Sequence, residues 1–368
     1  MKKSGIFLSL AAALVCSCTG KAPAGDGIVP LVREILSDRT SPEHGLLSSF
    51  SEPDPVGEIF IIGPEEGCLS IAEAMFALDQ RDNVDAKPGE DGLKDFAGET
   101  MACIIDTMSY SYPELISERK EYTVRERVVR MCLSAIDTVG HLSPYDIDGM
   151  ASKAPAKVIV LADPLVACYG KADVDTLLHA SGCGIPALSP LDVMFDDLFE
   201  SAAGRQVKAG IICEPRFAGS GAYLSRFESA MRRHGAEGSG CVVLPGRGKE
   251  GVVKAFLDDY MAAGGEQPLD FIVVDDPTLN MQTLKSELAG LISIMNEESM
   301  VYGRFIAPDF SFIDPASSVS RKCYDILRKS NLFTHNIAQP QIVTYAVAPS
   351  PNADDGSILL IPGTYVQN

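Results

Sequence analysis

A series of short apolar runs sets the fold class of this 368-residue chain. Residues 59–62, 102–105, 157–161, 209–212, 241–244, 271–274 and 304–306 are rich in β-branched side chains and do not alternate with polar ones. A strand with one wet face alternates, whereas a run that is apolar throughout suits a strand buried on both faces, as in a parallel sheet covered by helices. The segments between the runs carry apolar residues at helical spacing. Val128, Cys132, Ala135 and Val139 share one face, as do Leu224, Phe227 and Met231, then Val253, Phe256, Leu257 and Tyr260, then Leu284, Leu288 and Leu291. Gly140, Gly235 and Gly264 follow three of these stretches, where a helix ends on a left-handed residue. Strand and helix in alternation predict an α/β architecture with right-handed crossovers.

The pattern runs twice. Residues 158–164 and 271–277 each read as an apolar run closed by Asp-Pro. Two similar lobes are therefore expected, each a parallel sheet flanked by helices. The first takes residues 56–190 with 311–335, and the second takes 205–310 with 336–368. Residues 341–347 and 358–361 read as a terminal hairpin turning at Asp355-Gly356.

The start of the chain is of another kind. Lys2 and Lys3 precede an apolar run, residues 6–15, which is shorter than the roughly 20 residues that a membrane-spanning helix needs. Val15, Cys16, Ser17 and Cys18 then resemble the lipobox of bacterial lipoproteins. That resemblance implies a signal peptide over residues 1–17, lipid attachment at Cys18, and an anchor and tether over 18–55 holding one short helix at 29–36. It places the protein in the cell envelope, on a membrane through its lipid only. Loss of Lys2 and Lys3 takes the net charge from −19 to −21. So acidic a chain repels phosphate backbones and anionic lipid, which excludes nucleic acid as a partner.

Eight further cysteines, Cys68, Cys103, Cys132, Cys168, Cys183, Cys213, Cys241 and Cys323, form no CxxC pair, and the five histidines never pair at metal-ligand spacing. Several of the cysteines lie in apolar runs and read as buried free thiols. Neither a GxSxG elbow nor a phosphate loop is present, and Gly246-Arg-Gly-Lys249 lacks the hydroxyl residue and the spacing of one. No metal, cofactor or catalytic residue is assigned.

Candidate ligand contacts come from where the strands end. In open α/β sheets ligands bind beyond the carboxyl ends of the strands, and here those ends are acidic or proline: Glu65 and Glu66, Asp106, Asp163, Glu214, Asp275 and Asp276, and Pro308-Asp309. An Asp after a strand also suits a helix cap, and Pro suits the first helical turn. The pairs Glu65/Glu66 and Asp275/Asp276 leave one carboxylate over after capping. Tyr110, with Tyr112 and Tyr169, could stack on a ring or pack between the lobes. Arg216 could clamp an anion or neutralise Glu214, and Ser220 lies in a Gly-Ser-Gly turn that opens a helix.

In this order of elements the chain resembles type I periplasmic binding proteins, the ribose-binding-like group that shares its fold with the ligand domains of LacI-type regulators. The carriers are residues 208–213 with the Gly-Ser-Gly turn and the helix to His234, the unit 271–276, and residues 304–309 with the helix 319–327. The resemblance implies two lobes joined by three crossings and closing over a small polar ligand, a sugar or nucleoside. The expected function is a monomeric solute-binding or sensing lipoprotein, partnered with a transporter or receptor, rather than an enzyme. The alternative is an α/β hydrolase or transferase acting on sugars or envelope components.

Overall fold

The computed structural model describes residues 27–363 apart from 84, 86, 109–110, 147, 294–298, 337 and 352–355. The expectations for the signal peptide, for Cys18 and for the turn residue Asp355 fall outside these.

The architecture is two-lobed α/β. In the first lobe β1 (Glu58–Gly63), β2 (Thr100–Ile105), β5 (Ala156–Leu161), β6 (Ala187–Leu188), β11 (Gln341–Pro349) and β12 (Ile358–Pro362) form one sheet in the order β12-β11-β2-β1-β5-β6. Only β12 runs antiparallel to its neighbour. In the second lobe β7 (Lys208–Cys213), β8 (Gly240–Pro245), β9 (Leu269–Asp275) and β10 (Ile306–Ile313) form a parallel sheet in the order β10-β9-β7-β8. A two-residue pair, β3 (Val139–Gly140) with β4 (Ala151–Ser152), stands apart. Ile59 to Ile62 and the residues of β5 are wholly buried, as double-sided covering requires.

Helices α1 (Pro30–Ser37), α2 (Pro42–Ser49), α3 (Glu65–Ala77), α4 (Tyr112–Ser117), α5 (Glu121–Ile136), α6 (Lys171–Ser181) and α7 (Pro190–Ala202) accompany the first sheet. Helices α8 (Ala222–Arg233), α9 (Val252–Ala262), α10 (Met281–Leu291) and α11 (Ser299–Tyr302) accompany the second, and α12 (Pro315–Lys329) returns to the first. One core packs α3 and α12 on one face of the first sheet, through Ile71, Met75, Val319 and Leu327. A second core covers the other face and runs on without a break into the second lobe through α7 and α8. There the Phe227 ring meets Phe195 at 5.5 Å and Phe199 at 5.2 Å. Arg226 reinforces the join by donating to the carbonyls of Ala167 and Cys168 and pairing with Asp192 at 3.5 Å. A continuous apolar seam of this kind opposes free hinging, because opening it would expose aromatic surface.

Four expectations change. The chain passes between the lobes twice, after α7 and after β10, rather than three times. Strands β11 and β12, expected in the second lobe, belong to the first: β11 pairs with β2, and β12 with β11. Residues 303–305 form a 3-10 turn, and the strand that follows runs on to Ile313. The expected tether is folded from residue 27 onward: Val29, Val32 and Leu47 are fully buried. The Val29 amide donates to Asp173 Oδ1 at 2.9 Å, and Arg125, paired with Asp173 at 2.6 Å, donates to the Gly27 carbonyl. Gly184 is required by the same docking, since a Cβ there would lie 2.2 Å from the Ser51 carbonyl oxygen.

Candidate functional site

Parallel strands bring their carboxyl ends to one edge, and the acidic edges of the two sheets face each other across a cavity of about 140 Å³. By the volume that one water-sized probe occupies, this is room for roughly ten such atoms. The first lobe contributes Pro64 and Gly67 at the start of α3, and Asp163-Pro164 after β5. From the second come Glu214, Arg216 and Phe217 after β7, Asp275 at the end of β9, and Asp276-Pro277. Asp314-Pro315, where the chain crosses back, closes the cavity. Three Asp-Pro steps therefore converge on one space.

Each lobe offers one carboxyl whose proton is held by desolvation, Asp163 buried and Asp275 half-buried at the end of β9. Asp163 is 3% exposed, and its Oδ1 accepts from the amides of Leu165 at 2.7 Å and Val166 at 3.0 Å. Burial pushes it up to about 6, against the pull of those amides and of Arg216 and with the push of Glu214. Asp275 accepts a 2.7 Å hydrogen bond at Oδ2 from the Tyr223 hydroxyl, itself 1% exposed. Burial pushes Asp275 up to about 7; the Tyr223 hydrogen bond opposes the rise, and Asp163, Glu214 and Asp314 add to it. Like charges that face one cavity oppose each other's ionisation, so carboxyls here hold protons nearer to neutrality than free ones do.

The remaining polar groups are engaged locally. Glu214 holds Arg216 in a fork, Oε2 to Nε at 3.0 Å and Oε1 to Nη2 at 3.1 Å, with the guanidinium 4.7 Å over the Phe217 ring. Asp276 Oδ1 accepts from the amide and hydroxyl of Thr278, a turn cap. Asp314 caps α12, accepting from the Ala316 amide at 3.0 Å and the Ser317 hydroxyl. Beside Asp163 and Arg216 the cavity adjoins a second chamber of about 170 Å³, walled by Asp106, Met108, Tyr112, Pro113 and Phe217.

Of the residues singled out in the sequence, Asp163, Glu214, Arg216, Asp275 and Asp276 line the cavity. Asp106 lines the second chamber, with its charge taken by Arg127 at 3.1 Å. Glu65 and Glu66 are exposed in the first turn of α3, where they complement the helix dipole, so this pair is not a buried contact. Ser220 is a turn residue, its hydroxyl donating to the Phe217 carbonyl and accepting from the Ala222 amide. Tyr110 lies outside the described residues, and Asp309 is exposed along β10. Sequence reasoning missed Asp314 and Tyr223. Ile313-Asp314-Pro315 repeats the signature of Asp163-Pro164, but the strand before it was expected to end earlier. Tyr223 carries no local signal, since its role depends on α8 packing beside β9.

Among the described residues no cysteine lines either chamber. The cysteines named above are free, and burial pushes each of their thiols up, Cys103 and Cys241 to about 12, which disfavours the thiolate. Among the described residues no group of three or more His, Cys, Asp or Glu is placed to hold a metal ion.

No family model matches the chain, and no curated protein matches it. Solved structures do. Glutamate racemase isoform RacE1 from Bacillus anthracis aligns over 80% of this chain and 89% of its own, with 12% identity and a TM-score of 0.50. Glutamate racemase from Francisella tularensis, solved with D-glutamate, aligns over 80% and 89% with 13% identity and a TM-score of 0.47. An aspartate racemase homologue from Pyrococcus horikoshii aligns over 74% of this chain and all of its own, with 12% identity and a TM-score of 0.36. At such identities the likeness is one of fold. It overturns the resemblance to periplasmic binding proteins, and with it the solute-binding lipoprotein, its transporter or receptor partner and the non-enzyme reading. The resemblance rested on the order of strands and helices, which does not record which sheet a strand joins. The two-lobed α/β architecture is common to this chain and the racemase structures.

Proposed function

We propose that the chain is an acid–base enzyme that moves a proton at the carbon beside a carbonyl in a small amino compound, as an amino-acid racemase or epimerase does. One observation carries the proposal: Asp163 from one lobe and Asp275 from the other face a single cavity with pKa values near 6 and 7. Inverting a carbon centre needs a base on one face to take the proton and an acid on the opposite face to return one. Two carboxyls holding protons near neutral pH suit that exchange, because one can be ionised while the other is protonated, and the roles reverse in the other direction. The Tyr223 hydroxyl holds the Asp275 carboxyl, and the amides of Leu165 and Val166 hold Asp163, so neither has to reorganise on transfer. The two-lobed fold shared with the Bacillus anthracis racemase supports the same reading.

The test is loss of the α-proton signal of free amino acids in D2O, followed by proton NMR with polarimetry alongside. Exchange and loss of optical rotation in the parent are the expected result; loss of rotation should be abolished in Asp163→Asn and in Asp275→Asn, and each variant should lose exchange for the one enantiomer whose proton that residue removes. Exchange of both enantiomers that persists undiminished in either variant would remove that residue from the chemistry, and exchange with no substrate at all would end the proposal.

A further inference from the structure

We infer that the cleft selects a small substrate that bears an ammonium group and a far end without negative charge, and that it turns away dicarboxylates. The inference rests on the acid–base reading and adds the substrate's charge. Five carboxyls line the main cavity, those of Asp163, Glu214, Asp275, Asp276 and Asp314, and the one cationic side chain in its lining is Arg216. Glu214 already occupies that guanidinium with two hydrogen bonds at 3.0 and 3.1 Å. An incoming second carboxylate would have to displace Glu214 and then sit among like charges, whereas an ammonium gains charge-assisted hydrogen bonds from the same groups.

The second chamber sets the far end. Tyr112 is 3% exposed and its hydroxyl makes no hydrogen bond of full geometry; burial, and then the Asp106 carboxylate beside it, push it well above the usual phenol value. A buried hydroxyl left unpaired is costly, so an acceptor brought in by a ligand would be rewarded there. Asp106 is spoken for by Arg127 and by the Met108 amide at 3.0 Å, Ser111 by Glu114 at 2.9 Å, and Pro64, Met108, Pro113 and Phe217 supply apolar wall between these and the shared Asp163 and Arg216. A neutral acceptor such as an amide or hydroxyl suits this chamber, and a second anion beside Asp106 does not. Both chambers touch Asp163 and Arg216, so one short molecule can reach from the acids to Tyr112.

The experiment titrates the full chain by calorimetry with glutamate, aspartate, glutamine, asparagine and ornithine, each as both enantiomers, and runs the same compounds through the D2O exchange assay. Glutamine, asparagine or ornithine should bind at least about tenfold more tightly than glutamate and aspartate, given the cost of like charges placed side by side. Tyr112→Phe should weaken glutamine or asparagine about fivefold, the worth of one hydrogen bond. Glu214→Gln, which frees Arg216, should narrow the gap to glutamate. Preferred binding or exchange of glutamate or aspartate would overturn the inference and leave the acid–base reading standing. Binding of the amides or ornithine without exchange would uphold the inference and end that reading. Absence of binding by every compound would overturn the inference.

Discussion

Glu99 and Asp275 are both carboxyls that burial pushes up, yet they lie at opposite ends of the strands and do different work. Glu99, 1% exposed at the amino end of β2, meets Lys157 at 2.5 Å and accepts from the Thr334 amide at 2.7 Å. Lys157 in turn donates to the carbonyls of Pro55 and Leu332. Every charge there is answered, and the network ties the first strands to the segment after α12. Asp275 has a phenol and three acidic neighbours instead. A buried charge that is fully paired fastens structure, while a desolvated carboxyl set among like charges holds a proton it can give up.

That contrast can be broken most directly at the cleft. Asp275→Asn and Asp163→Asn should each cut racemisation by about 10²–10⁴-fold, the usual range for losing a general acid or base, each with loss of proton exchange for one enantiomer. Both variants should melt no lower than the parent at pH 8; a lower melting point with exchange intact would make them structural like Glu99. At the other end, Lys157→Met should cost about 3–5 kcal/mol in urea unfolding, because Glu99 is left buried and unpaired. Adding Glu99→Gln should recover much of that loss, and exchange per folded molecule should not change. Tyr223→Phe removes a hydrogen bond that favours the ionised form of Asp275, so the pH profile of exchange should move to higher pH. Its stability cost should be about 1–2 kcal/mol.

The smallest effect is on stability against pH. Asp163 and Asp275 have folded values of about 6 and 7, above their unfolded values, so their contribution is intact below about pH 4 and is lost as pH rises through 6 to 7. Melting temperature should fall across that window in the parent and fall less in the double Asn variant.

Much of this molecule could be read along the chain. The apolar runs at 59–62, 102–105, 157–161, 209–212, 241–244 and 271–274 are all strands, five of them largely buried on both faces and 241–244 half-buried at the edge of its sheet. That Asp163, Glu214, Arg216, Asp275 and Asp276 would line a cleft was legible from their place after a strand, where parallel sheets gather their loops. What lay beyond reach was pairing between distant segments. The partners of β11 and β12, the packing of Val29 and Leu47 against the core, and the approach of Tyr223 to Asp275 depend on contacts across tens to hundreds of residues.

The sequence by itself thus determined the class of fold, the strands and the acidity of the edge they present, since these follow from local pattern and composition. Tertiary structure alone decided that the lobes are fastened by the aromatics of α7 and α8, that the chain crosses twice, and which acids are left buried without a cation. The physical reason is that a carboxyl's proton affinity is set by what surrounds it in space, and Asp163, Asp275 and Glu99 are the same functional group until the fold chooses their neighbours.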